Sequence, residues 1–332
     1  MPPLDVESVT SGSPILLADI GGTHARFAWQ ARSGAPLESV QVLHCKDYAG
    51  LAEAVQHWLK INDLPAPGKA ALALACPVRS DHVQLTNNSW SFSIQALQAT
   101  LGLQKLIVVN DFTALALALP LLDPANLLQL GGDPQAPFAQ REPVALLGAG
   151  TGLGVSGLLP NPQGGWTALS GEGGHCSLAC HDDQQFRVWS VLKERYGHVS
   201  GEHVLSGQGI VNIHSSLRFL NMGYWPSSEL SSSEITTLAL SQSDPLAVQT
   251  LHLFCNWLGS VAGDLALTLG AIGGVFIGGG IPPRLKEFLG PSGFRASFES
   301  KGRYSTYLST IPVWLIDAPT SPALKGVATL LD

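Results

Sequence analysis

The sequence carries one pattern twice, and that repetition limits what the chain can fold into. ILLADIGGTHARFAWQ, from Ile15, reads as a strand, a glycine turn and a second strand, because strict alternation resumes at Arg26, Phe27, Ala28 and Trp29. PVALLGAGTGLGVSGLLP, from Pro143, reads the same way. Aligning Gly22-Thr23 with Gly150-Thr151 sets an offset of 128 residues (150 − 22). That separation is a domain length, so the pattern points to an internal duplication of a domain and not to a solenoid of short repeats. A chain of 332 residues has room for two such domains.

Between the hairpins lies LIVVNDFTALALALP, residues 106 to 120. Leu106 to Val109 form a short β-branched run suited to a buried strand, and the Ala/Leu-rich half after it is helix-forming. Asn110 and Asp111 sit at the junction. In an α/β sheet, ligands bind beyond the carboxyl ends of the strands, so Asp111 is a candidate for chemistry; it is equally suited to capping the helix that follows. Around this stretch the pattern is mixed α/β. Leu51 to Leu59 has helical spacing, residues 70–78 read as a buried strand stopped by Pro77, and 123–143, rich in Pro, Gly and Gln, read as a domain crossing. Residues 184–270 are mostly helical by period, with an exposed Ser-rich connection at Ser227 to Ser233. Gly259 and Gly263, four apart on one helix, leave room for another element to approach. GGVFIGGGIPPRL then gives a strand, three glycines, and Pro282-Pro283 where a helix begins. A strand over Ile311 to Ile316 and a short helix around Leu324 to Leu331 close the chain.

Composition removes several classes of function. The net charge is −7 and no run of Lys or Arg occurs, which argues against nucleic acid and anionic membrane as partners. MPPLDVESVTSGS has acids and no apolar core, so it reads as a flexible tail over residues 1–13, not as a signal peptide. Residues 262–281 have the length of a membrane span, but Asp264 and repeated glycines interrupt them. Five scattered cysteines, an odd number, fit reduced thiols in the cytoplasm.

The glycine turns suggest a nucleotide, and the residues decide which kind of site. A Walker loop is excluded because the only Gly-Lys, Gly68-Lys69, precedes Ala70. Gly152, Gly154 and Gly157 match G-x-G-x-x-G, but Pro160 and the alternating pattern leave no helix for a pyrophosphate. Two hairpin tips remain, rich in N–H groups and hydroxyls (Thr23, Thr151), able to clamp phosphate oxygens or to be ordinary tight turns. Asp19, at the first strand's end beside Gly21-Gly22, would suit Mg²⁺ held partly through water, or simply form the turn. Gly278, Gly279 and Gly280 would let an adenine or ribose lie against bare backbone.

LSGEGGHCSLACHDD, residues 169–183, offers three readings. Glu172 and His175 have the E-x-x-H spacing of di-iron bundles, but Gly173-Gly174 disfavour a helix and no second copy exists. His175, Cys176, Cys180 and His181 resemble zinc ligands but lack a second separated pair. A loop presenting Glu172 and His175 to a polyhydroxylated ligand is the better account. Glu202, in HVSGEHVLSG, either joins that ligand or favours a helix start capped by Ser200.

Taken together, LADIGGTHARFA, TNNSWSFS, VVNDFTALALALP, GAGTGLGVSGL, GEGGH, GHVSGEHVLSG, GGVFIGGGIPPR and SGFRASFESKGR resemble the bacterial glucokinases of the hexokinase type, members of the actin-like ATPase superfamily. The resemblance covers nearly the whole chain after the first dozen residues. It implies an α/β fold of two ribonuclease-H-like domains with a ligand cleft between them: a small one over 14–122 plus 317–332 and a large one over 123–316. It implies ATP-dependent phosphorylation of D-glucose at the 6-hydroxyl, a glycolytic reaction, with Asp111 as general base. Asn110, Glu172, His175 and Glu202 would hold the other hydroxyls, with Asn87 at the same pocket. Asp19, Gly21, Gly22 and Thr23 match the first phosphate motif, with Asp19 serving Mg²⁺. Gly150, Thr151 and Gly152 match the second, and Gly278 to Gly280 the adenosine motif. A homodimer is left open.

These roles agree with the chemistry, since phosphoryl transfer is mostly positioning and electrostatics, and a hexose offers hydroxyls that both donate and accept. Two positions depart from the family pattern: His24 stands where Asn usually follows Gly-Gly-Thr, and Lys325 where a small or apolar residue is expected. The alternatives are a kinase of another hexose, or a sugar-sensing regulator that keeps the fold without turnover. The regulator would be expected to carry a basic helix-turn-helix or to lack Asp111, and the sequence shows neither.

Overall fold

In the structure, a computed structural model that describes residues 12–86, 88–225, 227–319 and 321–331, the two hairpins open two separate sheets. Residues 1–11 of the expected tail and the predicted site residue Asn87 lie outside the described residues. The chain divides into two compact units, Met1–Leu121 with Ser321–Asp332, and Leu122–Thr320.

In the first unit, β1 (Ile15–Ile20) and β2 (His24–Gln30) pair antiparallel and β3 (Glu38–His44) extends the hairpin. After α1 (Leu51–Ile61), β4 (Lys69–Leu74) joins β1 in parallel. β5 (His82–Gln84) and β6 (Ser91–Ser93) form a small hairpin of their own. Then α2 (Ile94–Thr100) leads to β7 (Lys105–Asn110), which runs parallel to β4, and directly into α3 (Asp111–Ala118). The sheet order is β3-β2-β1-β4-β7. Its central strand, β1, is apolar apart from Asp19 near its end, because both faces are covered. Leu16, Ala18 and Ile20 pack with Trp58 of α1, while Ile15 and Leu17 pack with Ala114 of α3 and with Leu324 and Val327 of the C-terminal helix. Residues 70–78 were expected to remain a strand as far as Pro77, but β4 ends at Leu74.

The second unit repeats this connectivity. β8 (Leu127–Gly131) precedes the hairpin of β9 (Val144–Ala149) and β10 (Leu153–Pro160), which β11 (Trp166–Ser170) extends. Four helices follow: α4 (Asp183–Tyr196), α5 (Gly207–Met222), α6 (Ser232–Leu240) and α7 (Pro245–Leu269). β12 (Gly274–Gly278) then pairs parallel to β9; after the short helices α8 (Lys286–Leu289), α9 (Phe294–Glu299) and α10 (Ser305–Thr310), β13 (Val313–Ile316) pairs parallel to β12. The order is β11-β10-β9-β12-β13-β8, the first unit's pattern plus one antiparallel edge strand. β8 falls in the Pro/Gly/Gln-rich segment read as a crossing. α7 and α9 approach through Gly259 and Gly263, where a Cβ would overlap the carbonyl oxygens of Phe294 and Phe298. No helix among the described residues is long and apolar enough to cross a membrane.

The chain ends in α11 (Ala323–Ala328), which belongs to the first unit and lies against α3. At Gly326 a Cβ would overlap the carbonyl oxygen of Ala114, so only glycine permits this approach. Lys325, the unexpected cation, points away from the core and is exposed.

Candidate active site

Parallel strands set where the first unit's carboxylates emerge. Ile20, Leu74 and Asn110 share one register row across β1, β4 and β7. Asp19 lies one residue behind that row and Asp111 one beyond, so both stand at the carboxyl ends of parallel strands, with a single strand between them. Asn110, not Asp111, caps α3: its Oδ1 accepts from the N–H groups of Phe112 at 2.9 Å and Thr113 at 3.3 Å. The Asn110 amide nitrogen donates to the Cys76 carbonyl at 3.4 Å.

Asp111 is thereby spared the cap. It accepts from Phe112 N–H at 2.9 Å, has further hydrogen bonds with its own N–H and the Asn110 side chain, and is half-buried. Its pKa is raised to about 6, first by burial and then by the negative charge of Asp19. Asp19 is itself held above the ordinary carboxylate range by burial, against the opposing pull of a Ser321 hydrogen bond and of Arg26. Arg26 Nη1 donates to Asp19 Oδ2 at 3.0 Å. Neither neighbour was singled out from the sequence. Arg26 faces Asp19 directly across the β1–β2 hairpin, so completing the hairpin register would have found it. Ser321 comes from the far end of the chain and gives no local signal.

The first glycine turn is closed by Gly21 N–H donating to the His24 carbonyl at 2.9 Å, and Cys45 N–H donates to the Thr23 carbonyl at 2.9 Å. Thr23 and His24 are exposed at its tip, where the His24 ring stacks at a tilt on that of His44, 4.6 Å between centroids.

The second unit gathers its predicted residues around the start of β10. The second glycine turn is closed by Gly150 N–H donating to the Gly152 carbonyl at 2.8 Å. The third glycine run lies beside it, because Ile281 N–H donates to the Ala149 carbonyl at 3.1 Å and Gly279, at φ +88°, has no room for a Cβ against Ala149. Glu202 Oε2 accepts from Leu153 N–H at 2.9 Å, on the residue that follows the turn. Ser200 also caps, as its sequence position suggests, though only the single 3-10 turn Gly201–His203 that carries Glu202, in a reciprocal arrangement with His203.

Glu172 precedes another single 3-10 turn, Gly173–His175, and His175 ends it. The paired glycines of GEGGH are explained by packing, since a Cβ at Gly174 would overlap the Leu153 carbonyl oxygen and one at Gly173 would press on Val155. This loop is laced to the Glu202 segment by Gly201 N–H to the Cys176 carbonyl at 3.1 Å and Leu178 N–H to the Val199 carbonyl at 2.9 Å. Glu172 and His175 are exposed. The loop's far end is pinned to α7: Trp257 Nε1 donates to the Ala179 carbonyl at 3.1 Å, and the Ser260 hydroxyl bonds the His181 ring. Lys301 Nζ donates to Ser260 Oγ at 2.9 Å and pairs with Asp264 at 2.6 Å. None of the five cysteines forms a disulfide, and among the described residues no group of three or more His, Cys, Asp or Glu is placed to hold a metal ion.

Chemically, the first unit offers a carboxylate of raised proton affinity beside a second carboxylate. The second offers backbone donors at two glycine turns beside side chains that both accept and donate. Comparison with known proteins agrees with this inventory. A family model described as Glucokinase matches residues 16–332. The chain is 49% identical to a glucokinase of Aromatoleum aromaticum over 96% of its length and 95% of the relative's. A crystal structure of glucokinase from an Antarctic psychrotroph superposes with a TM-score of 0.84 at 36% identity, covering 96% of this chain and 99% of that one. The fold is shared more distantly with a Balamuthia mandrillaris glucokinase solved with glucose, at a TM-score of 0.79 and 20% identity, over 98% of this chain and 95% of that one.

Proposed function

The chain belongs to the glucokinase family, and we propose that it transfers the γ-phosphoryl group of ATP to the 6-hydroxyl of D-glucose, giving glucose 6-phosphate and ADP. The hydroxyl oxygen attacks the γ-phosphorus, the bond from that phosphorus to the β–γ bridging oxygen breaks, and ADP leaves with the electron pair. Asp111 takes the proton from the attacking hydroxyl. The observation that carries this assignment is the state of that carboxylate: the helix cap is made by Asn110, and burial with the Asp19 charge raises Asp111 to about 6 against the pull of its own hydrogen bonds. A base of that affinity is ionised at neutral pH and still accepts a proton readily.

Asn110, Glu172, His175 and Glu202 hold the remaining hydroxyls, and Asn87 joins them. The Gly21-Gly22-Thr23 and Gly150-Thr151-Gly152 turns bind phosphate oxygens, and Gly278 to Gly280 accept the adenosine. Mg²⁺ takes one or two carboxylates and fills its shell with water and phosphate oxygens, so Asp19 fits it even though no three-ligand group exists among the described residues. Bound there, the ion would neutralise charge on the phosphates. We assign the enzyme to the cytoplasm, at the entry to glycolysis; cysteines that form no disulfide support that reading. The test is ADP release with ATP, Mg²⁺ and a panel of hexoses. Turnover with glucose is expected; a hexose other than glucose as the sole acceptor would overturn the substrate, and none at all the activity.

A further inference from the structure

Glu202 touches more than a sugar would require. Its Oε2 accepts from Leu153 N–H at 2.9 Å, immediately after the Gly150-Thr151-Gly152 turn. A Cβ on Gly152 would overlap that same oxygen, so the carboxylate lies directly on the turn. The segment holds the turn at a second point, where Gly207 N–H donates to the Gly150 carbonyl at 2.8 Å. Glu202 is itself fixed. Ser206 Oγ donates to its carbonyl at 2.8 Å, the Asn212 amide donates to the His203 carbonyl at 2.9 Å, and Ser200 and His203 lock the intervening turn.

A carboxylate in this position has two opposed effects on a phosphate. It orders the backbone donors of the turn, and its negative charge repels the incoming anion across a short distance. A hydroxyl donating to its other oxygen would draw charge away from the turn while leaving the Leu153 bond in place. We propose that Glu202 is the positioning residue through which hexose binding strengthens nucleotide binding at the second glycine turn. This rests on the glucose and ATP reading given above and adds the path by which the two substrates communicate. By linkage the effect is reciprocal, so bound nucleotide tightens the hexose by the same factor.

The experiment measures binding of AMPPNP, which cannot transfer its terminal phosphoryl group, by calorimetry with and without saturating glucose. In the wild type, glucose is expected to tighten AMPPNP by about 5- to 30-fold, within the usual span of coupling between sites. Glu202→Gln keeps an acceptor for Leu153 N–H but removes the charge. It should bind AMPPNP more tightly than the wild type in the absence of sugar, and its response to saturating glucose should fall to about twofold or less. Glu172→Gln, which alters a sugar contact on the neighbouring loop and leaves the Glu202–Leu153 bond in place, should weaken glucose yet retain the wild-type response once sugar saturates. Ser206→Ala, a milder change that loosens Glu202, should reduce the response and keeps the test available if Glu202→Gln does not fold. Independent binding of the two ligands to the wild type overturns the coupling while leaving the glucokinase reading intact. An undiminished response in Glu202→Gln also overturns it. Failure of the wild type to bind glucose at all overturns both.

Discussion

Replacing Asp111 by Asn should stabilise the protein at neutral pH while abolishing most of its activity. The folded protein raises this carboxyl from its ordinary 3.8 to about 6, by burial and by the charge of Asp19. A difference of that size corresponds to about 3 kcal/mol against the ionised form, and because water reaches the half-buried group, about 1–2 kcal/mol is the expected measured effect. The sign follows from a folded pKa above the unfolded one: whatever stability the group contributes is complete below about 4 and is lost as pH rises through about 6. Asn keeps an oxygen for Phe112 N–H and carries no charge, so the variant and the wild type should melt together below about pH 4, diverge between about 4 and 6, and stay a few degrees apart above that, the variant higher. Thermal melts of both proteins across that range, followed by fluorescence, give the difference directly. On the kinetic side, loss of a general base should lower kcat by about 10²- to 10⁴-fold, with the overall fold retained. A variant less stable than the wild type at neutral pH, or one retaining kcat within about tenfold, would refute the assignment of this carboxylate as a buried base.

Asp19→Asn removes the charge that helps raise Asp111, so the acid limb of the kcat/KM profile, expected near 6 in the wild type, should move to lower pH, and the Mg²⁺ concentration needed for half-maximal rate should increase; an unmoved limb would separate the two carboxylates electrostatically. Gly326→Ala drives a methyl group into the Ala114 carbonyl and should cost about 1–3 kcal/mol by overpacking, with kcat falling because α3 carries Asp111; melts and kcat together check it. Asn110→Ala removes the α3 cap at about 1 kcal/mol, and Asn110→Ser should recover that stability but not the KM for glucose, since serine caps but lacks the amide. Gly174→Ala should raise the KM for glucose by displacing the loop from Leu153, with the acid limb unchanged, as pH profiles would show.

Legibility in the sequence followed how locally each feature is determined. The hairpins were readable because alternation and a glycine turn are properties of adjacent residues, and β1–β2 and β9–β10 adopt them. Recurrence of those hairpins led to the duplication, and the two sheets repeat one connectivity. β8 was not readable. Its residues, LLQLG, owe their strand to antiparallel pairing with β13, and that pairing carries a register shift between Val313 and Trp314. Gly173-Gly174 were correctly taken as hostile to an α-helix, but the reason is contact with β10, which no local rule contains. Asp19 was recognised without its Ser321 partner because the contact joins the two ends of the chain.

The capping of α3 shows why an amide and a carboxylate stand side by side at this strand end. A carboxylate used as the cap accepts two backbone N–H groups at the positive end of a helix, and those bonds favour its ionised form and pull its pKa down. Such a group would be a weak base at neutral pH. Here the neutral amide of Asn110 takes the bonds from Phe112 and Thr113, at 2.9 and 3.3 Å, and leaves Asp111 with the Phe112 N–H, its own N–H and the Asn110 side chain as partners. Burial and the Asp19 charge then outweigh the remaining pull, and the carboxyl rises to about 6. Either residue could have been assigned the cap from the sequence, and the chemistry depends on which one has it. With the cap on Asn110, the helix start is satisfied and the adjacent carboxylate remains basic enough to accept a proton.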